Sequence, residues 1–166
     1  MTVPNGGDVR TGRKTARGDV EFRDLSPEIV RGNLDALLSI AADVAGEYWG
    51  EDHFLRDLPE KWSLSFGAWS GAHPVGYAIL SRQATDRAHL HHFMIASSHR
   101  GHGLGTEMVG EMEDRARRAG CERLSLKVSE GNDGAQRFYR RLGYRVARTD
   151  GPYLVLERRL GLSNRQ

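Results

Sequence analysis

The sequence predicts a single-domain α/β (α+β) fold, a mixed central sheet of six to seven strands flanked by about four helices, and three observations carry that expectation. A chain of 166 residues with 39% hydrophobic content suits one compact core. Segments in which apolar and polar residues alternate are interleaved with segments whose apolar residues recur every three or four positions. Between a strand-like segment and an amphipathic helix lies His99-Arg100-Gly101-His102-Gly103-Leu104-Gly105-Thr106, a glycine-rich bend of the kind that grips anions. No internal repeat and no linker divides the chain.

In chain order, residues 20–23 read as a first strand. Ser26-Pro27-Glu28 follows as an N-cap with proline in the first helical position, and the helix it opens carries Ile29, Leu34, Leu37, Leu38, Ala41 and Val44 as an apolar stripe. A second helical piece is expected over residues 52–58, stopped by Pro59. Residues 62–69 and 75–81 read as two strands joined through Ser70-Gly71-Ala72-His73-Pro74. The next strand covers residues 88–96, and after the bend a helix runs over residues 104–119. Residues 124–129 alternate again before Gly131, Asn132 and Asp133 break the strand. Asn132 is a good N-cap for a short helix through Ala135, Phe138, Tyr139 and Leu142, and Gly143 a good stop. Strands at residues 144–148 and 153–158, joined by a Gly151-Pro152 turn, complete the unit.

At Gly101, Gly103 and Gly105 the main chain can approach a ligand closely and take positive φ, leaving successive N–H groups to converge on an anion. A helix starting near Leu104 would aim its positive dipole end at the same anion, and the Thr106 hydroxyl sits in its first turn. Arg100 adds a charge able to fork onto phosphate oxygens. The same glycines would also serve an ordinary strand-to-helix turn, so the downstream pattern has to decide.

Taken together, the two segments resemble the GNAT superfamily of acyl-CoA-dependent N-acyltransferases. Arg100, Gly103 and Gly105 match that family's first pattern, and Asn132, Ala135, Tyr139, Gly143 and Tyr144 match its second. The resemblance spans roughly residues 74–158 and implies a GNAT-like domain over residues 19–166. It implies acetyl-CoA as co-substrate, no metal, and acetyl transfer to a small-molecule primary amine by direct attack in a ternary complex. By the same resemblance the pyrophosphate falls to Arg100, Gly101, His102, Gly103, Leu104, Gly105 and Thr106. A strand bulge at Phe93-Met94-Ile95 would offer main-chain groups to the acyl group and pantetheine, and Asn132 would meet the pantetheine region. Tyr139 occupies the position of the family's general acid, and a phenol of ordinary pKa about 10 can protonate a thiolate of pKa roughly 8.5.

Where many family members carry a carboxylate base, this strand carries His89, His91 and His92. His91 is the first candidate base and His92 the second, since imidazole titrates near about 6.5. Alternation puts His89 and His91 on one face and His92 on the other, unless the bulge changes the phase. Paired histidines also suit zinc, but no third ligand at a convincing spacing accompanies them. For the acceptor, Glu47, Tyr48, Trp49, Asp52 and His53 are candidate lining residues; equally, the aromatics finish a core and the acids cap the next helix. Arg137, Arg140 and Arg141 serve either the nucleotide 3′-phosphate or a solvated helix face.

Composition narrows the classes. No apolar run reaches the roughly 18 residues of a membrane span, and no apolar leader core opens the chain, so a soluble cytoplasmic protein is expected, without membrane partners. Cys121 stands alone, which excludes an intramolecular disulfide. Four of the 24 basic residues (Arg10, Arg13, Lys14, Arg17) and one of the 22 acidic ones (Asp8) fall in residues 1–18, which read as a mobile basic tail before a nearly neutral body. That tail lacks interleaved aromatics, so no nucleic-acid partner is expected. The C-terminal strand could pair across a homodimer or be blunted by Arg158 and Arg159. A protein or peptide amine acetyltransferase and a non-catalytic acyl-CoA-binding sensor are the alternative functions.

Overall fold

The computed structural model describes residues 13–44 and 48–161. Its strands are β1 (Glu21–Asp24), β2 (Phe66–Ser70), β3 (His73–Ala84), β4 (Arg87–Ile95), β5 (Arg123–Ser129), β6 (Arg145–Asp150) and β7 (Tyr153–Arg159). Its helices are α1 (Pro27–Gly32), α2 (Leu34–Ala41), α3 (Glu51–Leu55), α4 (Lys61–Leu64), α5 (Leu104–Arg118) and α6 (Asp133–Arg141). One seven-stranded sheet has the order β1-β2-β3-β4-β5-β7-β6. Neighbours are antiparallel except β4 and β5, the parallel pair that α5 connects.

Local chemistry explains where helices differ from the periodic reading. Ser26 caps α1 by accepting from the Ile29 amide at 3.1 Å. The single helix expected through Val44 is broken at Asn33, whose side chain donates to the Ile29 carbonyl at 2.8 Å and whose φ of −127° leaves the helical region. Val44 lies beyond α2. Likewise the strand expected from residue 62 begins only at Phe66, because Lys61–Leu64 is helical. Lys61 is fully buried, and its Nζ donates to the carbonyls of His53 (3.3 Å), Phe54 (2.7 Å) and Arg56 (2.6 Å) at the end of α3. Burial pulls its pKa down to about 8.

Two apolar layers sandwich the sheet. One face packs Leu80, Leu90, Leu124, Leu126 and Leu156 against Met108, Val109 and Met112 of α5, with Phe138 and Tyr139 of α6 in the same layer. The other packs Tyr77, Ile79 and Met94 against Val30, Leu37, Ile40 and Phe54 from α1, α2 and α3. Two charged residues fasten α5 at its flanks. Arg115 meets Asp24 at 2.7 Å and Glu111 at 3.0 Å, while Glu113 meets Arg158 at 2.6 Å and accepts from the Tyr144 hydroxyl at 3.3 Å.

The expected tail divides differently from its charge distribution. Residues 1–12 lie outside the described residues, whereas Arg13 to Gly18 turn back onto β1, with the Phe22 amide donating to the Arg13 carbonyl and the Ala16 amide to Glu107 Oε1, both at 3.0 Å. The edge expected of the C-terminal strand belongs elsewhere: β7 lies between β5 and β6, and β6 is the edge, with all six residues exposed. No helix among the described residues is long and apolar enough to cross a membrane.

Arg115→Met leaves Glu111, 5% exposed, without its nearest cation, so urea denaturation should show about 3 kcal/mol lost stability. A loss within experimental error would mean that the flanking ion pairs do not fasten α5.

Candidate active site

Strands β4 and β5 pair only from Arg87 to Leu90 and from Arg123 to Leu126. Beyond these residues β4 continues to Ile95 alongside β3, and β5 to Ser129 alongside β7, so the parallel pair opens into a split. A cavity of about 280 Å³ occupies that split. His91, His92, Phe93 and Met94 line one wall, Leu126, Lys127, Val128 and Ser129 the other, and Asn132, Ala135 and Tyr139 come from α6 and its cap. The mouth adds Val44 and Tyr153.

At the same end of the sheet the bend enters α5. Gly101 and Gly103 have φ of 79° and 83°, in the left-handed region, with open space where a Cβ would stand. Gly103 is the N-cap and supplies no side chain, so among the described residues the first-turn amides of Leu104, Gly105 and Thr106 have no protein acceptor. Open amides at the head of a 15-residue helix, beside two left-handed glycines, fit a diphosphate. Gly105 matters for packing instead. An added Cβ would meet the Phe138 ring at 3.4 Å and Ile95 Cδ1 at 3.6 Å, so glycine lets α5 pack against α6 beside Tyr139. Arg100 turns back, its Nε donating to the Ile95 carbonyl at 2.8 Å and Nη2 lying 3.9 Å from Asp43. His102 and Thr106 are exposed at the bend, while Leu104 is buried and offers main chain only.

The bulge in β4 sits earlier than the resemblance placed it. Ile79 pairs with His92 and Leu80 with Leu90, leaving His91 as the extra residue, whereas Phe93, Met94 and Ile95 pair regularly with β3. Phe93 and Met94 line the cavity from the strand that β5 has left, and Ile95 lies outside its lining. The bulge also changes the phase of the strand. His92 lies opposite Ile79 and His89 opposite Ser81, two residues on one face of β3, so His89 and His92 share a face that strict alternation would have separated.

Each histidine has a hydroxyl partner. His89 Nδ1 is 2.8 Å from Ser125 Oγ, His91 Nε2 is 2.6 Å from Ser81 Oγ, and His92 Nδ1 is 2.7 Å from Tyr77 Oη. Burial lowers the His89 pKa to about 4, and burial, Lys61 and Arg56 lower that of His91. No group of three or more His, Cys, Asp or Glu side chains among the described residues is placed to hold a metal ion. Tyr139 is 8% exposed, and burial pushes its phenol well above the usual range, keeping it protonated.

On the acceptor side the expected residues separate. Trp49 stacks on His92 with ring centroids 4.5 Å apart, Tyr48 is 82% exposed, and Asp52 is exposed in the first turn of α3, away from the cavity lining. His53 Nδ1 accepts from the Gly50 amide at 3.1 Å, closing the same turn. Glu47 lies outside the described residues. Arg137, Arg140 and Arg141 are exposed on α6. Sequence reasoning missed Tyr77, Ser81, Lys127, Ser129, Val44 and Tyr153; the alternation of β3 marks Tyr77 and Ser81 as one face, but only the bulge brings that face to the histidines.

Comparison with known proteins identifies the family and the fold. Residues 34–144 match the acetyltransferase (GNAT) family, so the chain belongs to that family and is an acetyl-CoA-dependent N-acetyltransferase. No curated protein sequence matches it significantly. Ard1 from Thermoplasma volcanium is 21% identical with a TM-score of 0.73, covering 86% of this chain and 98% of its own. The ribosomal-protein-S18-alanine N-acetyltransferase from Escherichia coli is 19% identical with a TM-score of 0.73, covering 87% and 96%. The PaiA N-acetyltransferase from Thermoplasma acidophilum, in complex with coenzyme A, is 23% identical with a TM-score of 0.71, covering 84% and 98%.

Gly103→Val forces a β-branched residue to φ of 83° at the head of α5. Calorimetric titration with CoA should show affinity about tenfold weaker. Unchanged affinity would remove the bend from the binding site.

Proposed function

We propose that the protein transfers an acetyl group from acetyl-CoA to a primary amine of a small molecule by direct attack within a ternary complex. One observation carries the reading: a buried, protonated phenol and a buried imidazole, Tyr139 and His92, line one cavity in the strand split next to an open-amide helix terminus. A cavity of about 280 Å³ has room for the thioester end and a small amine. Acetyl-CoA supplies an activated carbonyl. The amides of Leu104, Gly105 and Thr106 hold its diphosphate, with Gly101 and Gly103 giving the approach and Arg100 and His102 flanking it. The edge of β4 at Phe93, Met94 and Ile95 aligns the pantetheine and offers main-chain donors to the developing oxyanion, and Asn132 stands on the opposite side.

His92 takes the proton from the attacking amine. Its ring stacks on Trp49 with centroids 4.5 Å apart, and an aromatic face favours the imidazolium that forms when the proton is taken. Burial disfavours a charge on His91, and nearby Lys61 and Arg56 lower its pKa further, so the order of preference in the sequence is reversed. As the amine nitrogen bonds to the carbonyl carbon and the C–S bond breaks, Tyr139 gives its proton to the sulfur. A phenol so placed argues against a sensor that has lost turnover.

A second reading, a peptide or protein amine as acceptor, is favoured by the rim. Val44 and Tyr153, 36% and 46% exposed, line the cavity mouth, and such apolar surface suits the side chains of an extended chain. The solved structures of related fold include the NatC complex bound to Gag peptide and CoA. The protein is expected to act without membrane or nucleic-acid partners and in the cytoplasm; pairing of two copies, if it occurs through the sheet, falls to the β6 edge.

Release of free thiol from acetyl-CoA, measured across small amines and short peptides, tests the reading: turnover with a small primary amine supports it, peptide-only turnover supports the second, and none with either refutes both. Tyr139→Phe should lower kcat about a hundredfold and leave CoA affinity largely intact. Because burial raises the Tyr139 pKa, the phenol stays a donor as pH rises, and kcat should show no decline up to pH about 10. A fall centred near pH 9 would contradict that.

A further inference from the structure

The strand split has two sides, and they differ in charge. Alternation along β5 turns Leu124, Leu126 and Val128 into the layer of α5 and α6, and Ser125, Lys127 and Ser129 to the opposite face of the sheet. The bend and Tyr139 lie on the α5 side, where the proposed function brings in the thioester, which leaves the opposite face for the amine. On that face the register sets Tyr153 beside Ser129 and Val155 beside Lys127, then Asp150 beside Tyr153 and Arg148 beside Val155. Lys127 Nζ lies 2.7 Å from Asp150 Oδ2; its hydrogen bond, with the nearby charge of Arg148, holds the Asp150 carboxyl below the usual range. Two cations thus share one anion beside the cavity mouth, and all three residues are exposed. The wider field has the same sign. Burial lowers the pKa of His89, and His91, Lys127, Arg87 and Arg148 lower it further; burial lowers that of His91, and Lys61 and Arg56 add to it. Apart from the histidines, Lys127 is the one titrating side chain with a positive charge among the described residues that line the cavity, while Asp52, an acid the sequence offered for a cationic amine, lies outside the lining.

We infer that the acceptor is a small amine that also carries an anionic group, a carboxylate or a phosphate, and that Lys127 binds this group on a face that also offers the Ser129 and Tyr153 hydroxyls. This rests on the cavity as the site of acetyl transfer. An ammonium gives such an anion a charge-assisted hydrogen bond, the stronger kind. The present partner of Lys127 is no obstacle, because the two side chains of the pair are 43% and 46% exposed and solvent already weakens their attraction. When the acceptor's anion takes Lys127, Asp150 keeps Arg148 beside it, so no carboxylate is left without a cation. The same field repels the additional ammonium of a diamine or polyamine, so charge rejects acceptors that the cavity volume would admit. Anchored on the β5 wall, the acceptor extends its nitrogen across the split towards the β4 wall, where His92 stands.

Thiol release from acetyl-CoA tests this on matched amines, with rates referred to the free-amine form of each. The pairs are glycine, β-alanine and γ-aminobutyrate against their amides and phosphoethanolamine against ethanolamine, with spermidine as the polycation. At least one anionic amine should exceed its neutral partner about tenfold or more in kcat/KM, and Lys127→Gln should bring that ratio close to one by raising the KM for the anionic amine. The carboxylate and phosphate arms decide which anion the site takes. Equal rates within every pair, or a preference for the neutral amines or spermidine, overturn the inference in the unaltered protein, with no dependence on whether a variant folds; the proposed function then stands, since a small amine is still acetylated. A ratio unchanged in a folded Lys127→Gln overturns it as well, because the anion is then held elsewhere. No turnover with any of these amines removes the small-molecule reading and this inference together.

Discussion

The separation of two parallel strands after four paired residues is the constraint on which the rest of the structure depends. Strand main chain has to be paired or solvated, and β4 and β5 stay bonded to each other only as far as Leu90 and Leu126. From there each keeps its outer neighbour, β3 or β7, and exposes the other edge to a shared cavity. In the proposed function an extended thioester arm takes the place there of a further strand, against N–H and C=O groups that β4 and β5 no longer give each other. The bulge at His91 belongs to the same device, because it turns His92 to the side where Tyr77 and Trp49 wait.

Around this split the fold spends its rigidity unevenly. Helix α5 is fastened at both flanks by buried charged side chains, Arg115 and Glu113, yet its N-terminus has no capping side chain. A helix so held keeps its first-turn amides where they are without a protein group filling them, which is the position the proposed function gives to the diphosphate. Lys61 does comparable work on the opposite face. Three carbonyls at the end of α3 converge on one ammonium, which settles the segment that precedes β2.

Much of this was legible in residue order. The left-handed Gly101 and Gly103, Asn132 as the cap of α6 and Tyr139 on that helix are local features, written in neighbouring residues. Hydrophobic periodicity found all seven strands to within a few residues, apart from the start of β2, where Lys61 makes a helical turn of residues that alternate like a strand. The bulge was misplaced by two residues because its position is set by the register with β3, a relation between distant segments that no window of sequence contains. Tyr77, Val44 and Tyr153 were missed for the same reason. Each reaches the site only through pairing or crossing of elements, whereas Asp52, close to Trp49 in sequence, is exposed and outside the cavity lining.

Amide proton–nitrogen spectra recorded during titration with CoA test the central claim most directly, since they read the main-chain groups that the split and the bend leave open. The account predicts that the largest shifts fall on Leu104, Gly105 and Thr106 and on the facing edges of β4 and β5, with β6 and the α1 and α2 layer little changed. Shifts concentrated on another part of the molecule, or none at saturating CoA, would contradict it.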